Sequence, residues 1–405
     1  MARTAARRPA GDRITDFVTV GLIARSFPLS KVRQVLAETG KSSLRERELP
    51  AHVMVYYVIA MALFMSVSCR EVLRCLLEGM QWLSDGRAPL KITTKSGISQ
   101  ARSRLGSEVM QRLYEDAVGP IATAQTKGAW FKGWRLVSLD GSTFDVADAP
   151  ELEAQFGRPG AGQGESAFPQ VRIVSLVESG THVVFATKIA GCNIGELTLA
   201  RAVVPAMSAG MLCLADRNFF GFDMWALAQG TGADLLWRIK QSRNMPEDER
   251  LADGSYLSRV YPGDHRKRHC EGIKVRVIEY CLDGVADAEP MYRLVTTILD
   301  PAQGSARELA ALYHERWEIE TVLGELKTHL RGSKIVLRSK TPDLVRQEIY
   351  GLLLAHFAIR GLMHEAALKA DEDPDRLSFI HAVRVMRRKI ATFGCVPPSE
   401  EICSA

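Results

Sequence analysis

The sequence predicts an α/β protein: a mixed sheet flanked by helices, preceded by an all-helical segment and interrupted by a β-rich insertion. Three observations carry this expectation. Apolar residues recur at helical spacing through residues 14–110 and shift to the two-residue period of strands from Trp134. Strand-like and helical runs then alternate irregularly, which excludes a pure βαβ repeat. Three helical stretches, 305–331, 342–369 and 376–391, close the chain. The 405 residues suffice for two or three domains, and 46% hydrophobic with 24% charged residues excludes a disordered or fibrous chain.

In the N-terminal part, Leu22, Ile23 and Phe27 open the apolar pattern, and Val32, Val35 and Leu36 continue it after Pro28. Ala51 to Cys69 carries no Asp, Glu, Lys or Arg. It is almost long enough to span a bilayer, but His52, Ser66 and Ser68 interrupt it, so it reads as a buried core helix opened by Pro50. Glu71–Leu83 follows, with Val72, Leu73, Leu76 and Leu77 inward. Around residues 95–105, Ser96 is placed to cap a short helix that buries Ile98, Ala101 and Leu105 and exposes Gln100, Arg102 and Arg104. The second helix of a helix-turn-helix has this pattern, and so does an ordinary surface helix.

The strands come next. Arg135–Asp140 is a short apolar run ending in an acid. Gln170–Val177 and His182–Ile189, joined through Ser179-Gly180, predict a hairpin, and Glu196–Met207 a helix. Met211–Ala215 is a buried strand, again followed by an acid, Asp216. Phe222–Gln229 predicts a helix and Asp234–Ile239 a strand, and residues 241–304 supply strands Lys274–Leu282 and Met291–Leu299. The glycine-rich stretch Gly157–Gly164 lacks the strand-turn-helix setting of a nucleotide-binding loop. No C-x-x-C pair occurs among the eight cysteines; Asp264, His265, His269 and Cys270 enclose Arg-Lys-Arg, which disfavours a cation there and leaves a basic loop. No apolar segment of a signal peptide follows the basic N-terminus.

The net charge of +5 is compatible with a polyanionic partner without requiring one. Basic clusters lie in the first thirteen residues and at Arg384, Arg387, Arg388 and Lys389. Asp140 and Asp216 are placed at the sheet edge where ligands bind, and carboxylate pairs suit hard cations such as Mg²⁺. Two such ions about 3.5–4 Å apart assist phosphodiester cleavage. A third acid comes from the stretch 305–331. At roughly 100° per residue, Tyr313, Arg316, Glu320 and Lys327 fall within about a 60° stripe. Leu312, Ile319, Leu323, Leu326 and Leu330 form the apolar stripe beside it. An Arg316–Glu320 surface pair explains two of the four residues, not the alignment of all four.

The spacing Tyr313-x2-Arg316-x3-Glu320-x6-Lys327 resembles the Y-R-E-K signature of DDE transposases of the insertion-element-4 family. Residues 139–148, 156–182, 214–240 and 95–106 also resemble stretches of that family, so the resemblance covers about residues 15–390. It implies a ribonuclease-H-like catalytic core formed by residues 126–240 and 305–370, with the insertion 241–304 before the last acid. It further implies a helical DNA-binding domain over 14–125, with residues 1–13 as a basic arm and 371–405 as a helical tail. Asp140, Asp216 and Glu320 would bind two Mg²⁺, with Mn²⁺ as a substitute. Asp140 is preferred to Asp145 and Asp148 because the family's first acid precedes Gly-Ser or Gly-Thr; the other two acids then organise the following loop. Tyr313, Arg316 and Lys327 would grip the element's terminal DNA, and Gln100, Arg102 and Arg104 would read its terminal inverted repeats. The implied reaction is cut-and-paste transposition by a homodimer on paired ends, in the cytoplasm at the nucleoid and away from membranes. Family members pass through a DNA hairpin. The alternative is an inactive relative that only binds DNA, as a repressor.

Overall fold

The computed structural model describes residues 15–43, 49–79, 94–161, 164–262, 272–282, 289–332 and 336–388. The basic arm, the Asp264–Cys270 loop and Lys389 lie outside them.

Among the described residues, six helices come first: α1 Thr15–Ser26, α2 Leu29–Glu38, α3 Ala51–Leu63, α4 Cys69–Gly79, α5 Lys95–Leu105 and α6 Ser107–Ala117. They are followed by β1 Trp130–Phe131, β2 Trp134–Asp145, α7 Pro150–Phe156, the two-residue β3 Gly160–Ala161 and β4 Gly164–Glu165, β5 Gln170–Glu178 and β6 Val183–Gly191. Then come α8 Glu196–Val203, β7 Met211–Ala215, α9 Phe222–Gln229, β8 Asp234–Arg238, β9 Glu249–Arg250, β10 Tyr256–Val260, β11 Ile273–Tyr280 and β12 Tyr292–Thr296. Helices α10 Ala306–Tyr313, α11 Glu318–Gly324, α12 Pro342–Ala370 and α13 Phe379–Arg388 complete the order.

One sheet runs β6-β5-β2-β7-β8-β12-β11-β10-β9. β2, β7 and β8 are parallel, while β5 is antiparallel to β2 and β6 to β5. This is the mixed, ribonuclease-H-like order. The insertion does not form a separate β unit: β12 pairs with β8, so its strands prolong the main sheet. Alternation explains how the sheet is covered on both sides. Leu212, Leu214, Leu236, Ile278 and Leu294 face one core with Leu309, Leu312 and Tyr313 of α10. Cys213, Ala215, Leu235, Trp237, Val277 and Val295 face the other, which is continuous with the N-terminal helices.

Helix α3 is the buried core helix expected: Val53 to Leu63 are all buried. Among the described residues no helix is long and apolar enough to cross a membrane. Its chief partner is α12, and Gly351 permits the approach, because a Cβ there would lie 2.9 Å from both Cγ1 and the carbonyl oxygen of Val58. This packing ties the N-terminal helices to the helix that follows the stretch 305–331.

The stretch 305–331 is not one regular helix. A 3₁₀ segment, His314–Trp317, separates α10 from α11, and a π-helical segment, Glu325–Leu330, ends it. The 3₁₀ turn advances about 120° per residue instead of about 100°, so four residues rotate everything downstream by roughly 80° relative to Tyr313. Tyr313 and Arg316 are thereby turned inward, at 5% and 7% exposure, with Tyr313 in the core of α10 and Ile319 and Leu323 in the other core, and Glu320 is left exposed.

Candidate active site

β2 extends five residues beyond Asp140, because residues 141–145 pair with β5 through Asp145↔Gln170. Asp140 therefore lies within a strand, not at its end. Its pairing with β7 does stop there: Leu139↔Ala215 is the last registered pair, so Asp140 and Asp216 are the next residues on two adjacent parallel strands. Neighbouring strands lie about 4.8 Å apart. The two acids are side by side where β2 and β7 part, which is the crevice expected of an open sheet.

The signature helix packs against this crevice. Arg316 Nη1 donates to Asp140 Oδ2 at 3.4 Å, and Arg316 Nη2 lies 3.6 Å from Glu320 Oε1. The guanidinium thus bridges the first and third acids. Lys327 Nζ donates to Ser142 Oγ at 3.1 Å, two residues along β2 on the same face. Tyr313 Oη donates to the carbonyl of Ala215, immediately before Asp216. All six residues named from the acids and the signature are therefore brought together. Tyr313 differs from expectation in being buried, its hydroxyl spent on the β7 backbone.

The electrostatics of Asp140 reflect this crowding. Burial pushes its pKa up to about 6, the Gly141 N–H and Arg316 oppose the rise, and the charges of Glu196 and Asp216 add to it. Burial and Arg331 hold Lys327 below its usual value. The Nε of Arg316 is buried with no hydrogen-bond partner. The donor set consists of carboxylate oxygens, which fits a hard divalent cation.

Asp145 and Asp148 stand apart from the crevice acids. Asp145 accepts from Gln170 Nε2, and Asp148 pairs with Arg158, which also holds Ser166 O across the glycine-rich loop. Asp148 thus helps hold that loop, while Asp145 is tied to β5 and its charge acts on Lys327 and Arg331.

The recognition trio needs a correction. Gln100 and Arg104 are exposed, but Arg102 is buried. Residues i and i+4 share a helix face, and i+2 falls opposite. Arg102 Nε donates to Gln347 Oε1 at 2.8 Å and its Nη2 to Ser339 Oγ at 2.9 Å, which braces α5 against α12. The helix cap is also shifted: Thr94, not Ser96, accepts from Gly97 N.

Sequence reasoning missed a buried ionic network behind the signature helix. Glu325, on the π-helical segment, meets His356 at 2.9 Å and also Arg360, whose guanidinium contacts His182. Burial alone would raise the pKa of Glu325; His182, His356 and Arg360 overcome it and hold the carboxyl well below its usual value. His182, Glu318 and Asp375 bring one ligand atom each within 4.8 Å of one another. Arg360 contacts His182 Nδ1, while His182 Nε2 lies 2.9 Å from Asp375 Oδ1 and 3.8 Å from Glu318 Oε2, and Glu318 also accepts from the Gly180 N–H, so the trio is an ion-pair cluster that ties the start of β6 and the signature helix to Asp375. Trp317, also missed, is 56% exposed beside Arg316.

Residues 133–358 match the family described as Transposase DDE domain, and residues 17–115 match Insertion element 4 transposase N-terminal. The chain belongs to the insertion element 4 family of DDE transposases. Its activity is DNA transposition, and a DDE domain works with a divalent metal. Among related proteins, Transposase InsG for insertion sequence element IS4 of Escherichia coli (strain K12) is 28% identical over 374 residues, 91% of this chain and 82% of InsG. Putative transposase InsZ of the same organism is 23% identical over 235 residues, 56% of this chain and 73% of InsZ. The cryo-electron microscopy structure of a piggyBac transposase synaptic complex with hairpin DNA aligns over 92% of this chain and 79% of its own, at 11% identity and a TM-score of 0.45.

Proposed function

We propose that this transposase belongs to the Y-R-E-K subgroup and uses Asp140, Asp216 and Glu320 as its acid triad. It would bind the terminal inverted repeats of its insertion sequence, cleave the ends and join the freed 3′-hydroxyls to target DNA. The observation that carries the reading is the meeting of three elements at one crevice: Asp140 and Asp216 adjacent across the β2–β7 junction, with Arg316 linking Asp140 to Glu320. When bound there, two Mg²⁺ ions, or Mn²⁺ in their place, would activate the attacking oxygen and stabilise the leaving one.

The chain's own residues do the rest. Arg316 is already held against Asp140, so a scissile phosphate entering the crevice takes over part of its charge pairing. Lys327, resting on the Ser142 hydroxyl, offers a second cation to the same strand of DNA. Tyr313 fixes the β7 backbone before Asp216 and so positions that acid. The exposed Trp317 ring offers a stacking surface for a nucleobase. Gln100 and Arg104, both exposed on α5, would contact the terminal repeats. A homodimer on paired ends would bring both 3′-hydroxyls to one target, within the nucleoid. The test is incubation of labelled end DNA and target DNA with Mg²⁺. The proposal expects cleaved ends followed by joined products. Cleavage without joining would indicate a plain nuclease, and binding with neither would indicate a DNA-binding repressor.

A further inference from the structure

A fourth acid reaches the crevice from the opposite side of the sheet. Glu196 is the first residue of α8, which packs on β5 and β6. Side chains alternate along β2, so a side chain at 141 would point away from the face that carries Asp140. Position 141 is glycine, and the space is taken. A Cβ built there would lie 1.8 Å from Glu196 Oε1, 2.8 Å from its Cδ and 3.1 Å from its Cγ. The Glu196 carboxylate therefore occupies the cradle left by Gly141, directly beside the backbone of Asp140. It is half-buried and makes no hydrogen bond or ion pair among the described residues. A half-buried carboxylate ordinarily finds a donor. Arg172 acts on it only through its charge, and the other charges it feels or perturbs are those of two acids, Asp140 and Asp216.

We propose that Glu196 supplies a fourth carboxylate to the divalent-metal site of Asp140, Asp216 and Glu320. The inference rests on that triad being the metal site. The charge balance favours it. Arg316, paired to Asp140 with its Nε left buried and unpartnered, cancels one of the three acid charges, and Glu196 restores it. Hard cations take six or more oxygen ligands, so a further carboxylate has a place in the set. The glycine at 141 is then explained, because its missing Cβ is the passage through which an acid from α8 reaches acids on the other face.

The experiment titrates the metal-free full chain with Mn²⁺, following free Mn²⁺ by its electron paramagnetic resonance signal. Glu196→Gln, which keeps shape and removes charge, is expected to weaken Mn²⁺ binding about tenfold or more. It should also raise the Mg²⁺ concentration needed for half-maximal end cleavage, with most of the cleavage regained at saturating metal. Gly141→Ala, which displaces the carboxylate without removing it, should shift Mn²⁺ binding in the same direction. Asp140→Asn is the control for the underlying site. If Asp140→Asn loses Mn²⁺ while Glu196→Gln binds it as the parent does, the fourth-ligand inference falls and the triad stands. If Asp140→Asn also binds Mn²⁺ normally, the triad reading falls with it. A change in thermal midpoint for Glu196→Gln with unaltered Mn²⁺ affinity would make Glu196 merely a helix-terminal acid and overturn the proposal.

Discussion

Arg102→Ala separates folding from DNA recognition on a helix that carries both. Arg102 is 7% exposed and its guanidinium donates to Gln347 Oε1, Ser339 Oγ and the carbonyl of Leu344. Gln347 is 0% and Ser339 3% exposed, so water cannot replace the lost donors. Each buried group left without its partner costs about 1–3 kcal/mol, so two of them give about 2–6 kcal/mol. Arg104, one turn from Gln100 on the exposed face, has no such role, and Arg104→Ala should stay within about 0.5 kcal/mol of the parent. The assay is urea unfolding of both variants, with end-DNA affinity measured across a salt series. Arg102→Ala is expected to lower the unfolding midpoint clearly. Arg104→Ala is expected to leave it unchanged while the salt slope of DNA binding falls by about one. Parental stability of Arg102→Ala combined with loss of end binding would refute the bracing argument and restore Arg102 as a DNA contact.

Lys327→Ala should weaken end complexes and reduce the salt slope by about one, measured by gel shift at several salt concentrations; unchanged binding and cutting would make Lys327 a structural contact of Ser142. The raised pKa of Asp140 predicts a pH dependence of stability in metal-free protein. Its folded value of about 6 exceeds the unfolded 3.8, so the folded state holds the proton more tightly, and stability falls as pH rises from about 4 through 6. Asp140→Asn should abolish that part of the fall, read from thermal midpoints in EDTA; an identical pH profile would contradict it. Glu325→Gln removes the charge that holds Arg360 and His356, and should destabilise the chain by about 3–5 kcal/mol in urea unfolding. Parental stability would show that the network is not needed as a brace.

Much of the fold was legible because its signals are local. Met211–Ala215 and Phe222–Gln229 have the bounds their apolar patterns predict. The leucines of the signature stripe, with Ile319, are all buried, as helical spacing requires. What was not legible depends on distant partners. Gly141-Ser142 resembles a turn, and only pairing with β5 keeps the chain extended to Asp145. The insertion looked separate because nothing local marks the β8–β12 pairing. The 3₁₀ and π segments leave no period in sequence, yet they rotate Tyr313 and Arg316 inward and carry Glu325 into the core. The acids were found from their position after buried runs and from family resemblance. Glu196 escaped because the role proposed for it rests on an absent Cβ in β2, far from α8 in sequence.

The central claim is that Asp140, Asp216 and Glu320 act as one unit on bound DNA. Its most direct measurement is cleavage and binding on the same labelled terminal repeat, for Asp140→Asn, Asp216→Asn and Glu320→Gln, singly and combined. Each single variant is expected to lose nearly all Mg²⁺-dependent cleavage, with no further loss on combination, while binding is retained through phosphate contacts. Normal cleavage by Glu320→Gln, with loss in Asp145→Asn or Asp148→Asn, would contradict the account.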